Sequence, residues 1–155
     1  MRIGNGYDIH QLAVGRPLIL GGITIAFDKG LAGHSDGDCL SHAIIDALLG
    51  AAALGDIGRH FPPDDARYKD ADSIELLKET HMLLKENNRS IVNIDSIIIC
   101  EAPKLSPYIS LMIGNLALAL GLKESAVSVK AKTNEGLGYL GAGEALAAHA
   151  VVLIQ

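Results

Sequence analysis

The segment Asp38–Leu54, DCLSHAIIDALLGAAAL, constrains the fold more than any other part of the chain. Leu40, Ile44, Leu48 and Ala51 recur at the three-to-four-residue period of one helix face. The apolar run ALLGAAALG is far too short to cross a bilayer, so the segment reads as a core helix. Polar side chains crowd its entrance: HSDGD at His34–Asp38, with His42 in the first turns and Asp46 one turn later.

Strand patterns surround this helix. RIGNGYDIH opens the chain, and LILGGITIAF follows, with Gly21-Gly22 between β-branched runs as a tight turn. KGLAGHSDGD then forms a Gly- and Asp-rich loop, and GDIGRHFPPDDARYKD a long one. Loops of that length inside a compact domain are usually functional or disordered. Asp72, with Glu75 three residues on, caps a helix running to about Asn87. SIVNIDSIIIC is a strand, and Ser106-Pro107 starts a helix ending near Gly121. AVSVKAK is a strand, TNEGLGYLGAG a turn region, and EALAAHAVVLIQ the last strand. The pattern predicts a single α/β (α+β) domain over residues 1–155, a mixed β-sheet with about three helices packed on it.

Composition narrows the function. Thirteen basic and 18 acidic side chains give a net charge of −5, which leaves no electrostatic footprint for nucleic acid. Nearly half the residues are apolar and only 20% are charged, which leans toward an oligomer that buries part of its surface. Cys39 and Cys100 lie far apart and read as buried thiols of a reducing compartment, the cytoplasm. No apolar h-region follows Met1, so no secretory leader and no membrane association are expected.

Asp8 and His10 are two apart on a strand, so their side chains share a face. His42, from a second element, is either the third ligand that a catalytic zinc site needs, with the fourth position open for substrate, or an ordinary hydrogen-bonded helix residue. Asp46, one turn on, is placed to orient the His42 imidazole. Polar groups such as His34, Ser35, Asp36 and Asp38 on Gly-rich turns cost stability unless partnered. Asp56, between glycines, is either a ligand-contacting acid or an ordinary turn former. In KAKTNE, Thr133, Glu135 and exposed backbone N–H groups can hold a phosphate and a hard cation, or simply end a strand in solvent. EAPKLSP, stiffened by two prolines, either reads a flat base with its main chain or merely connects two elements. Residue types alone thus lead to a metal-dependent enzyme acting on a phosphorylated ligand.

The motifs RIGNGYDIH, PLILGGI, AGHSDGD, DALLGAAALGDIG, FPPDD with ADS after it, APKLSP and VKAKTNEGLG stand in this order along essentially the whole chain. Together they resemble the 2-C-methyl-D-erythritol 2,4-cyclodiphosphate synthase family of the non-mevalonate isoprenoid pathway. The resemblance implies a lyase that cyclises 4-diphosphocytidyl-2-C-methyl-D-erythritol 2-phosphate and releases CMP. It also implies a homotrimer with active sites between subunits. Zinc would sit on Asp8, His10 and His42, and a second divalent ion, magnesium or manganese, at Glu135. His34 and Thr133 would stabilise the transition state.

Further substrate contacts are implied for Ser35, Asp56, Ile57 and Gly58, and for the flap residues Phe61, Pro62, Pro63, Asp64 and Asp65. The neighbouring subunit would add Cys100, Glu101, Ala102, Pro103, Lys104, Leu105 and Ser106, then Lys132, Thr133, Asn134, Glu135 and Tyr139. The chain departs from many members at Asn5, Tyr7, Pro63, Lys132 and Ala142, where they carry histidine, phenylalanine, an acid, threonine and arginine. Ala142 removes the arginine that lines the trimer's central cavity in those members, so isoprenoid diphosphates are expected to bind there weakly or not at all. The rival chemistry for the same ligand set is a metal-dependent nucleotide-diphosphate phosphohydrolase. A binding module without turnover is the rival from another class.

Overall fold

In the computed structural model, which describes residues 1–155, strand β1 (Arg2–Val14) spans the sheet and then bends onto β4 (Lys29–Leu31). The five-stranded sheet has the order β4-β1-β7-β5-β6, with β5 at Ile91–Ile99, β6 at Val127–Lys132 and β7 at Ala145–Ile154. Only β5 and β6 are parallel, joined through helix α4 (Ile109–Leu120), so the sheet is mixed as expected. A separate hairpin, β2 (Leu18–Leu20) and β3 (Ile23–Ile25), turns at Gly21-Gly22 with φ of +57° and +72°. Positive φ at both central residues is what a two-residue hairpin demands, and glycine meets it without strain.

Helix α1 (Cys39–Ala52) is buried more completely than its one-face periodicity suggests: 11 of its 14 residues are buried. β1 and β7 cover one side, and α3 (Ser73–Glu86) covers another. Gly4 and Gly6 allow this. A Cβ at Gly4 would lie 1.8 Å from the Ala47 carbonyl oxygen, and one at Gly6 2.0 Å from that of Ala43. The strand therefore rests on the helix backbone itself. Asp8 and His10, the next residues on that face, are thereby brought level with the first turn of α1. Asp38 fixes the helix entrance: its carboxylate accepts from Gly21 N (2.9 Å), Gly22 N (2.7 Å), Ser41 N (3.0 Å) and Ser41 Oγ (2.8 Å). The cap thus ties the hairpin turn to α1.

Several expected boundaries move. The long loop after α1 carries α2 (Ile57–His60) and a 3₁₀ turn at Ala66–Tyr68, capped by Asp56 and Asp65 through Arg59 N and Arg67 N. The turn region after β6 holds a four-residue helix, α5 (Gly138–Gly141). The count is therefore five α-helices, three of them long. Ser106-Pro107 does not start α4: Tyr108 N donates to Leu105 O in the turn before it, and Tyr108 is the N-cap. The opposite face of the sheet carries Ile3, Tyr7, Ile9 and Val151, all exposed, with Tyr7 and His149 ring centroids 4.6 Å apart. No helix is long and apolar enough to cross a membrane.

Candidate active site

Three donor atoms converge where β1 meets α1. Asp8 Oδ2 is 2.9 Å from His10 Nε2 and 3.1 Å from His42 Nδ1, and the two nitrogens are 3.3 Å apart. Metal–ligand bonds of about 2.0–2.1 Å in tetrahedral geometry require donor separations of roughly 3.3 Å. The triangle fits one metal ion after small adjustments. It is the only cluster of three such donors in the chain. Two imidazoles and one carboxylate leave a fourth position open, the arrangement of a catalytic rather than a structural site.

The electrostatics suit a cation. Burial pushes the Asp8 carboxyl up, but the hydrogen bonds and charges of His10 and His42 reverse this and hold it well below the usual carboxylate range. Burial lowers His10, yet Asp8 and the Ala32 carbonyl outweigh it and raise the imidazole above its ordinary value. His10 Nδ1 donates to Ala32 O at 2.6 Å, which turns Nε2 toward the triad. Asp46 does not orient His42. Its Oδ1 accepts from Ile57 N at 2.7 Å, because the next turn of α1 aims it at the start of α2. Burial and the charges of Asp56 and Asp8 raise its pKa. The partners of His42 are instead Ser73 Oγ, 2.9 Å from Nε2, and Ser35 Oγ, 3.2 Å from it.

The triad opens into a cavity of about 240 Å³ lined also by His34, Ser35, Ile57, Gly58, Phe61, Pro63, Tyr68 and Leu76. His34 stands exposed at its margin, with Nε2 3.4 Å from the Asp65 carbonyl of the flap. Asp56 caps α2 through Arg59 N, and Asp65 pairs with Arg67. Pro62 and Asp64 belong to the same flap but do not line the cavity. Arg16, passed over in the sequence, donates from Nη2 to Ser35 O at 2.8 Å and braces the His34–Ser35 turn.

A second cavity, of about 290 Å³, lies where β5 and β6 end. Cys100, Glu101, Pro103, Lys104, Leu105, Ser106, Ala131, Lys132 and Thr133 line it, and Ala102 sits in the same loop. The Cys100 thiol is buried, which pushes its pKa up to about 11 and keeps it protonated at neutral pH. Glu101 Oε1 accepts from Asn134 N at 2.6 Å, and Thr133 Oγ1 donates to Glu135 Oε1 at 2.5 Å. Glu135 has a φ of +53° and is exposed. Tyr139 is in neither cavity; it borders a shallow groove with Ile9 and Gln11. Within one chain, then, His34 and Thr133 line different cavities.

The YgbB family model matches residues 1–155. The chain is 59% identical to the 2-C-methyl-D-erythritol 2,4-cyclodiphosphate synthase of Laribacter hongkongensis, over 100% of this chain and 96% of that protein. It is 55% identical to that of Pelotomaculum thermopropionicum, with the same shares. A solved 2C-methyl-D-erythritol-2,4-cyclodiphosphate synthase in its CDP-bound form superposes with a TM-score of 0.92 at 37% identity, covering 99% of this chain and 100% of that one. The bifunctional IspDF of Campylobacter jejuni gives a TM-score of 0.95 at 42% identity, with 99% of this chain matching 42% of that longer protein. A full-length family match, relatives at this identity and the shared fold all agree: the chain belongs to the YgbB family, whose similar members are 2-C-methyl-D-erythritol 2,4-cyclodiphosphate synthases.

Proposed function

We propose that the chain cyclises 4-diphosphocytidyl-2-C-methyl-D-erythritol 2-phosphate to the 2,4-cyclodiphosphate and releases CMP, in isoprenoid precursor biosynthesis. The observation that carries this reading is the pairing of a buried Asp-His-His triad with a full-length likeness to cyclodiphosphate synthases. The reaction forms one bond, from a 2-phosphate oxygen to the β-phosphorus. It breaks the bond from that phosphorus to the bridging oxygen, which leaves with CMP. A phosphate monoester with a second pKa of about 6 is already mostly anionic near neutrality, so no strong base is required. The obstacle is bringing two anions together, which positioning and cationic clamping overcome.

Zinc on Asp8, His10 and His42, and magnesium or manganese at Glu135, would supply Lewis-acid polarisation and neutralise phosphate charge. In this reading the His34–Ser35 turn and the 57–58 backbone hold the methylerythritol phosphate end, and the 61–65 flap excludes water. His34 and Thr133 donate to phosphoryl oxygens as charge builds on them. The 100–106 loop holds the cytosine and the 132–135 turn the diphosphate. Because the two half-sites line different cavities of one chain, we assign them to neighbouring copies in a homotrimer. The exposed apolar sheet face with Ile3, Tyr7, Ile9 and Val151 supports that assembly. Three copies of Ala142, Asn5 and His149 around its axis would offer little positive charge to an isoprenoid diphosphate. Free buried cysteines fit a cytoplasmic protein.

The test is phosphorus NMR of the cytidine substrate with pure protein and magnesium. The reading expects CMP and the cyclic diphosphate together. CMP with an open-chain phosphomonoester would identify a phosphohydrolase, and an unchanged substrate a binding module.

A further inference from the structure

We propose that Ser73 and Asp36 form a relay that fixes the proton of His42 on Nε2 and so reserves Nδ1 for the metal. The inference rests on the metal-site reading above, and it concerns residues that the triad itself does not include.

The argument is one of donors and acceptors. Asp36 accepts Ser73 N at Oδ2 (3.0 Å), and Oδ1 accepts from Ser73 Oγ and from Asp38 N (3.1 Å). A carboxylate only accepts, so the single hydroxyl proton of Ser73 is committed to Asp36. The Ser73 oxygen then has only lone pairs left for its other neighbour, His42 Nε2 at 2.9 Å. Toward Ser73 that nitrogen is therefore the donor; Ser35 Oγ, its longer neighbour at 3.2 Å, already accepts from Gly37 N and keeps a lone pair for the same hydrogen. Ser73 is fully buried and His42 is 9% exposed, so bulk water does not stand in for the hydroxyl. On the other side of the ring, Nδ1 faces Asp8 Oδ2 and His10 Nε2. At that point a proton and a metal ion are alternatives, whereas Nε2 keeps its hydrogen in either case. His10 is fixed in the same sense by the Ala32 carbonyl, an acceptor that holds the hydrogen on Nδ1. The two imidazoles therefore present lone pairs to one point, each by a different device.

The relay also explains a placement. Ser73 is the first residue of α3 and lies 31 positions beyond His42, so a metal ligand on α1 is oriented by the N-terminus of another helix. Asp36 thus acts on the site through Ser73, not by contact with the metal. Both are positioning residues.

The experiment compares the full-length protein with Ser73→Ala and Asp36→Asn. Zinc affinity is read by chelator competition, and the His42 ring nitrogens by nitrogen-15 NMR with and without zinc. Ser73→Ala keeps the Asp36 bond to the backbone N–H of residue 73, so the start of α3 is preserved. Asp36→Asn keeps the volume but puts an amide donor where an acceptor is needed. The wild type should carry hydrogen on Nε2 in both states, slow to exchange with water. Ser73→Ala should exchange that hydrogen much faster and bind zinc about 10- to 100-fold more weakly, with a similar direction for Asp36→Asn. An unprotonated Nε2 in the wild type overturns the relay, as does wild-type zinc affinity in both variants. A wild type that binds no zinc but keeps the protected Nε2–H supports the relay and counts against the metal reading instead.

Discussion

The two cavities are built on opposite principles. The triad hangs from a strand and a helix; His42 is buried, Asp8 and His10 are partly buried, and each imidazole is already held by a second protein group. The 100–106 and 132–135 region hangs from turns, and Thr133 and Glu135 are exposed with chiefly each other as partners. A rigid half-site can hold a cation without substrate. An exposed half-site gains its full set of contacts only when another surface closes over it. The difference teaches that the proposed metal site and the proposed nucleotide site are separable, because different elements set them.

That separation can be broken by substitution. The largest effect is expected for His42→Ala: zinc content should fall to near zero and turnover by on the order of 10³-fold, with far-UV dichroism intact. Elemental analysis checks the first and the NMR assay the second. Full zinc occupancy in that variant would show that the ligand set is wrong. Thr133→Ala should lower turnover on the order of 10²-fold while zinc content stays at the wild-type level. Loss of zinc there would join the two regions that the account keeps apart.

The rigid half-site depends on the strand–helix contact. Gly6→Ala places a Cβ 2.0 Å from the Ala43 carbonyl oxygen and should destabilise the chain by about 1–3 kcal/mol or more in denaturant titrations. It should also weaken metal binding, because His42 moves with α1. Gly15→Ala, at a φ of +83° but with open space around it, should cost stability without touching the metal.

The smallest effect lies on β5 and β6. Lys130 hydrogen-bonds Asp95, which holds that carboxyl below its ordinary value. A depressed folded pKa contributes stability above the unfolded value, about 3.9, and loses it as pH falls through the folded one. Both side chains are about half exposed, so Lys130→Ala should cost only about 0.2–1 kcal/mol at neutral pH. The difference from wild type should vanish in strong acid. A difference that persists there would mean that the lysine stem, not its charge, carries the effect.

What the sequence disclosed follows the range of the interactions. Asp8 and His10 could be placed on one face because strand period is local, and His42 because its helix was strongly apolar. The close approach of α1 to Gly4 and Gly6 was not read from the sequence, although two glycines on one strand face are its signal. Asp46 was misassigned because a four-residue spacing predicts proximity along a helix but not direction, and here the carboxylate turns to Ile57. Ser73 was missed because its partner lies in a different helix, and no local pattern encodes that contact. The short helices at 57–60 and 138–141 escaped because a single turn shows no periodicity.

The central claim is that one active site takes its metal half from one chain and its loop half from another. Subunit complementation tests it most directly. His42→Ala and Thr133→Ala chains, each nearly inactive alone, are co-expressed with different tags and purified as random mixtures. If sites form between neighbours in a ring of three, each mixed trimer contains one intact site, and the mixture should regain about a quarter of wild-type activity. A mixture no more active than its two components would contradict the account, because it would place both halves of each site within a single chain.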